Sequence, residues 1–281
     1  MTALQYTEAK HRQLSVFAGN IAHMSTLWSI YALKYAERNS RTRADSFLDD
    51  DHPAAPHGMD YFVWLLDSGE RKILVDTGYD ETEGLRRGRP ILRDPATALN
   101  ALGVSAEEID TVIISHLHYD HAGGLTRYPK ARFHVQATEL SFATGPCMCD
   151  PSIRAPYTAE HVCDMVRHIF AGRVTFYKGD GEIAPGVTVH QIGGHSKGLQ
   201  SVVVMTSSGP ICLASDAAHY YENFQSRKLF PIVVDREEML AGFSRIVELA
   251  GDAARVIPGH DPLVRERYPS FGRSGFVWKL A

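Results

Sequence analysis

Between residues 115 and 124 the chain reads Ser-His-Leu-His-Tyr-Asp-His-Ala-Gly-Gly, directly after the apolar run Thr111 to Ile114. Random placement of residues at this composition produces H-x-H-x-D-H on the order of 0.002 times per chain, so the pattern demands a chemical reason. At the end of an extended strand side chains alternate with a period of two, so His116 and His118 point to the same side and can grip one ion. Asp120 and His121 follow where the chain turns, within reach of a second ion beside the first. Gly123 and Gly124 let the backbone pack closely behind this loop. One loop cannot complete two coordination shells, and that constrains the fold: further ligands must reach the same edge from elsewhere. His195, in Gly193-Gly194-His195-Ser196, follows the run Val187 to Gln191; Asp216 follows Ile211 to Ser215; His260, in Pro258-Gly259-His260-Asp261, follows Arg255 to Ile257. Each candidate ligand stands at the end of an apolar strand, as a pair of sheets would require to gather seven groups at one edge.

The remainder of the chain agrees with that architecture. Further strand candidates are Leu14 to Phe17, Tyr61 to Leu66, Lys72 to Val75, Phe133 to Val135, Val174 to Tyr177 and Ser201 to Met205. They are β-branched or aromatic runs bounded by turn residues, and Asp67-Ser68-Gly69 and Ser207-Ser208-Gly209 read as hairpins. Helical spacing is clearest over Arg236 to Ala250, where Met239, Leu240, Phe243, Ile246 and Val247 form one face. Shorter helices are expected at Pro95 to Leu102 and Ala106 to Glu108, the latter opened by a Ser105-x-x-Glu108 capping box. The spacing over Ala22 to Ala36 fits neither period. No repeat or linker divides the 281 residues, so residues 1–281 are expected to form one domain of two packed sheets with helices outside. The 29 Lys and Arg against 33 Asp and Glu give a net charge of -4, which provides no basic field for nucleic acid or an anionic membrane. No apolar stretch approaches the roughly 20 residues of a membrane-spanning helix, and Lys10, His11 and Arg12 interrupt any leader-like segment. A cytoplasmic protein with reduced cysteines is the expectation.

Imidazole and carboxylate ligands without a thiolate suit zinc, with Mn, Co or Fe as replacements. At these residues the sequence resembles the metallo-β-lactamase superfamily, whose order of H-x-H-x-D-H, His, Asp and His is met at all seven positions. The resemblance implies an α/β fold, the four-layer αββα sandwich, with two zinc ions per chain. It implies His116, His118 and His195 on the first, Asp120, His121 and His260 on the second, and Asp216 bridging. Within the superfamily the chain looks most like the N-acyl-homoserine lactone lactonases, through Met59-Asp60-Tyr61-Phe62-Val63-Trp64, Leu74-Val75-Asp76-Thr77-Gly78-Tyr79, Leu213-Ala214-Ser215-Asp216 and Ile257-Pro258-Gly259-His260-Asp261-Pro262. That likeness implies a hydrolase that opens a lactone ring, quenching quorum signals, with Asp120 shuttling a proton. A glyoxalase II-like thioesterase or another ester hydrolase on the same scaffold is the rival reading. A non-catalytic metal-binding protein fits less well, because seven ligands shared by two ions leave positions open for water.

The chain departs from the family where a tyrosine that binds the substrate oxygen is usual, three residues after the bridging aspartate. Here that position is His219, followed by Tyr220 and Tyr221, so the role is expected to fall to His219 or to a neighbouring tyrosine, Tyr220 or Tyr221. The usual second histidine of the His195 loop is also absent. Asp76 either orients a ligand histidine or caps a turn. Cys147, Cys149 and Cys163, around a loop from Gly145 to Thr158 that could frame an entrance, read as small buried residues. Arg86-Arg87-x-Arg89 reads as solvated surface, and no arginine cluster near the ligands is evident to clamp a phosphate. Met24, Trp28, Phe62 and Trp64 are candidates for an acyl pocket, although core packing suits each better. The expected partner is an uncharged small-molecule lactone or ester with an apolar substituent; a homodimer is left open.

Overall fold

The computed structural model describes residues 26–281. The strand expected at Leu14 to Phe17, and Met24, lie outside the described residues. Two sheets face each other. The larger is built from β1 (Ser29–Arg38), β2 (Met59–Asp67), β3 (Lys72–Val75), β4 (Thr111–Ile113), β5 (Arg132–Gln136), β6 (Val174–Tyr177) and β12 (Val277–Lys279), in the order β12-β1-β2-β3-β4-β5-β6. The smaller contains β7 (Gly181–Ala184), β8 (Val187–Gln191), β9 (Gln200–Thr206), β10 (Gly209–Ser215) and β11 (Val256–Pro258), in the order β11-β10-β9-β8-β7. Both expected hairpins are present, as antiparallel β2–β3 and β9–β10. Strands β3 to β6 run parallel, as does β10 with β11.

Alternation along the strands divides the apolar side chains between two cores. Phe62, Trp64 and Leu66 of β2 meet Val187, Val189, Val202, Val204 and Leu213 between the sheets, together with Trp28, whereas Tyr61, Val63 and Leu65 turn to the other face of the larger sheet. Trp28, Phe62 and Trp64 are therefore core residues. The helix Arg236–Ala250 covers the smaller sheet through Met239, Phe243 and Ile246, with Asp235 accepting from the backbone of Glu237 and Glu238 at its start. The helix Ala159–Phe170 covers the larger sheet through Val162 and Met165. Helices thus lie outside a double sheet, the metallo-β-lactamase arrangement. Among the described residues no helix is long and apolar enough to cross a membrane.

Other expectations meet mixed outcomes. Ser105 and Glu108 do form the capping box, on a single 3-10 turn. The undecided segment enters β1, which is buried on both faces and consequently shows no clean alternation. Cys147, Cys149 and Cys163 are exposed, contrary to the reading of them as buried residues, because the first two sit on a surface turn and the third on the outer side of the helix Ala159–Phe170; Cys212 is buried. Since Phe243 is fully enclosed between its helix and the smaller sheet, Phe243→Ala is expected to cost about 3–5 kcal/mol of unfolding free energy, read as a lower urea midpoint at unchanged slope.

Candidate metal centre

The ligand loop is placed by Asp76, the residue that follows β3. Asp76 adopts a left-handed backbone (φ 61°), a conformation that carries strain for a non-glycine residue. Its carboxylate accepts from the Ser115 backbone at 2.7 Å, from Ser115 Oγ at 2.8 Å and from His121 Nδ1 at 2.7 Å. This settles the two readings of Asp76 in favour of orienting a histidine: with Nδ1–H directed to the carboxylate, Nε2 of His121 is free to coordinate. Two further ligand histidines are held in the same manner. His195 Nδ1 donates to the Ile232 carbonyl at 2.7 Å and His260 Nδ1 to the Asp60 carbonyl at 2.8 Å. The His195 loop also depends on Gly194, whose φ is +83° and where an added Cβ would lie 2.6 Å from Met239 Cα.

A second buried carboxylate fastens the two histidine loops together. Glu139 accepts from the Leu117 backbone at 2.9 Å and from Tyr157 at 3.2 Å through Oε1, and from Ser196 Oγ at 2.8 Å and the Gly198 backbone at 3.0 Å through Oε2. Leu117 lies between His116 and His118, and Ser196 follows His195, so this one side chain sets the spacing of three imidazoles. Burial raises its pKa, while these four donors favour the charged form. Sequence reasoning missed Glu139, since nothing in the helix Ala137–Ala143 distinguishes it from a surface glutamate.

The seven sequence-derived candidates converge. His116, His118 and His195 form one group of buried ligand atoms, and Asp120, His121 and His260 form another. Asp216 stands between them: Oδ2 lies 3.2 Å from His195 Nε2 and 3.9 Å from His116 Nε2, while Oδ1 lies 3.1 Å from His260 Nε2 and 3.4 Å from His121 Nε2. Nε2 of His116, His121 and His195 and Oδ1 of Asp216 are buried with no hydrogen-bond partner among the described residues. Buried polar atoms are rarely left so, and divalent cations held by the two groups would satisfy all four. Burial holds the pKa of His116 and His118 well below the ordinary imidazole value, so they are neutral and ready to bind. For His121 burial acts downward too, yet Asp216, Asp76 and Asp120 outweigh it and raise the pKa; His260 is raised likewise, chiefly by Asp216. A binding ion must displace those protons.

His219 and the tyrosines are less simply placed. His219 lies on the cavity wall, stacked on Phe230 at 3.7 Å between centroids, with Nε2 2.9 Å from Asp216 Oδ2. Burial lowers its pKa to about 3, so it is neutral, and its single N–H is engaged by Asp216. The expected donation to a substrate oxygen is thereby unavailable from this tautomer. Tyr220 is turned away from the cavity: its hydroxyl lies 3.2 Å from both Ser46 Oγ and the Gly58 carbonyl. Tyr221 is buried at the start of the helix Tyr221–Ser226, with Phe224 beside it and Arg267 over its ring at 3.6 Å.

The centre forms the floor of a cavity of about 410 Å³, within the ordinary range for small-molecule sites. Met59, Ile153, Pro156 and Pro231 to Val234 supply its apolar lining, so part of the segment from Gly145 to Thr158 does frame the opening. Arg38, Arg41, Arg87 and Arg89 also line the cavity, which corrects the solvated reading for Arg87 and Arg89 and the expectation of no arginine cluster near the ligands, whereas Arg86 is exposed as expected. The physical reason is tertiary: an isolated bridge between Ala36 and Ile91 folds the run back beside β1.

Comparison with known proteins places this arrangement. The metallo-beta-lactamase superfamily matches over residues 59–260, and the chain belongs to that superfamily. It is a metal-dependent hydrolase. It is 32% identical over 217 residues to an N-acyl homoserine lactonase of Bacillus thuringiensis, covering 71% of this chain and 81% of that one. A probable metallo-hydrolase of Mycobacterium bovis is 26% identical over 227 residues, 71% of each chain. Among solved structures, a quorum-quenching N-acyl homoserine lactone lactonase superposes with a TM-score of 0.71 at 25% identity, over 89% of this chain and 98% of that one. An N-acyl homoserine lactone hydrolase with the product N-hexanoyl-L-homoserine at its catalytic metal center gives 0.70 at 26% identity, over 88% and 98%.

Two outcomes follow from the geometry. Asp76→Ala is expected to weaken metal binding about 10–100-fold, read by competition with a chelator of known affinity. Because His121 and His260 hold protons that an ion must displace, affinity should rise with pH through neutrality, and calorimetry in buffers of different ionisation enthalpy should detect released protons; a pH-independent affinity would contradict that protonation pattern.

Proposed function

We propose that the protein is a dinuclear zinc lactonase acting on N-acyl-homoserine lactones or close relatives. The observation that carries this reading is the division of Asp216, whose two oxygens face two separate histidine sets at the floor of one cavity. His116, His118 and His195 would hold one ion, Asp120, His121 and His260 the other, and Asp216 both. When bound, two such ions activate water and polarise a carbonyl oxygen near neutral pH. The lactonase names of the relatives support the choice of substrate.

The chain's own groups supply the rest. Asp120 lies on the cavity wall 3.8 Å from His260 Nε2 and 3.9 Å from His121 Nε2, and its backbone is held by Tyr35 at 2.9 Å. From there its carboxylate can take the proton of the attacking water and deliver it to the departing alkoxide, as general base and then general acid. His219 fixes the rotation of Asp216 and so keeps the two ligand sets at one spacing.

A panel of acyl-homoserine lactones, simple γ-lactones, a glutathione thioester and a phosphodiester, assayed with zinc-loaded protein and its His118→Ala variant, tests the reading. Lactone opening that falls with His118→Ala is expected; turnover of the thioester or phosphodiester with lactones untouched would replace the lactonase. For His219→Ala the positioning role predicts metal affinity lower by about 10–100-fold. Unchanged metal affinity with kcat reduced about 10²–10³-fold would instead return His219 to the oxygen-binding role.

A further inference from the structure

The arginine cluster has no part in holding the metals and is larger than the cavity's own charges require. Arg41 is 8% exposed; Nη2 donates to the Asp45 carbonyl at 2.6 Å and to Ser46 Oγ at 3.3 Å, and its Nε has no partner among the described residues. Arg38, at the end of β1 opposite Met59, and Arg89, which donates to the Tyr119 hydroxyl, are half-buried. None of the three makes an ion pair among the described residues, whereas Arg87 is matched by Glu83. The lining carboxylate outside the metal set, Asp45, is engaged by Thr42 through its backbone N–H at 2.8 Å and Oγ1 at 3.2 Å. The Tyr119 hydroxyl that Arg89 holds lies 3.3 Å from that of Tyr61, whose ring is 5.0 Å from that of His260.

Leaving a buried cation short of anions is costly: Arg41 is buried, and Arg38 and Arg89 are half-buried. Asp45, its pKa lowered chiefly by the Thr42 backbone N–H, lies close enough to Arg41 and Arg38 for them to lower it too, and the cavity's two other aspartates, Asp120 and Asp216, would be neutralised by divalent cations. The field over the opening is then positive well beyond neutrality. An arginine fork is also the side chain best shaped for an oxyanion. We infer that Arg38, Arg41 and Arg89 form an anion subsite at the mouth of the metal centre, and that the substrate carries, away from its scissile carbonyl, a carboxylate or phosphoryl group bound there. The apolar lining of Ile153, Pro156, Val233 and Val234 then takes the methylenes between the two ends. This deepens the lactonase reading and rests on it for the scissile bond: the ring stays, and the substituent changes from purely apolar to one ending in an oxyanion.

The test separates binding from turnover by using ring-opened products. N-adipoyl-homoserine, its adipoyl methyl ester and the matched phosphonate are titrated calorimetrically into zinc-loaded wild type, Arg38→Ala, Arg41→Ala and Arg41→Lys. All three ligands share the carboxylate left by ring opening, so only the distal group differs. Wild type should bind one or both of the distal oxyanions at least about tenfold tighter than the ester, and the stronger of the two names the group. That ratio should fall to within about twofold in Arg38→Ala and Arg41→Ala and recover in part with Arg41→Lys, which keeps the charge should the alanine variant fold poorly. Equal affinities in wild type, no measurable binding of any ligand, or a ratio that survives Arg38→Ala and Arg41→Ala unaltered would overturn the subsite. Hydrolysis of the corresponding lactones is followed in parallel: if none opens while the ratios behave as stated, the lactonase reading falls and the subsite stands.

Discussion

Five histidines and two aspartates buried at one point would repel, or strip protons from one another, unless each had a fixed partner; burial of an uncompensated charge costs several kcal/mol. Asp216 is the group around which the compensation is arranged. Each of its oxygens serves one set of imidazoles, and His219 restrains it from the cavity side. The scaffold then fixes the outward nitrogen of three of the five: Asp76 for His121, the Ile232 carbonyl for His195, the Asp60 carbonyl for His260. Glu139 joins the first histidine loop to the third from behind. The double sheet matters because it ends β4, β8, β10 and β11 at one edge, so these loops start from rigid positions.

What was legible in the sequence had a short-range cause. His116, His118, Asp120 and His121 share one loop, and their spacing alone announces a metal. His195, Asp216 and His260 were readable because each follows an apolar strand. Strands exposed on one face, or short and bounded by glycine and serine, were likewise plain. The rest is tertiary. β1 carries Ile30 and Ala32 to one core and Leu33 and Tyr35 to the other, so two buried faces erase the alternation that would mark a strand. Glu139 looks like any helix glutamate until the fold sets four donors around it. Arg87 and Arg89 look solvated until the bridge at Ala36 turns them over the cavity, and Tyr220 looks aimed at the metals until its hydroxyl is traced to Ser46 and Gly58.

The cavity combines a floor of metal-ligand side chains with apolar and cationic lining, a mixture that suits a ligand carrying both apolar and anionic parts. The floor carries the chemistry that the chain shares with its superfamily. The lining is where this chain states its own preference, and the guanidinium groups there are the largest departure from a purely apolar acyl site.

The central claim, two ions on either side of Asp216, is tested most directly by anomalous diffraction at the zinc edge from crystals of the zinc-loaded protein. The account predicts two peaks about 3.5–4 Å apart, the spacing usual for paired catalytic ions. One should lie among His116, His118 and His195 and the other among Asp120, His121 and His260. A single peak at saturating zinc, or a second one away from Asp216, would contradict it.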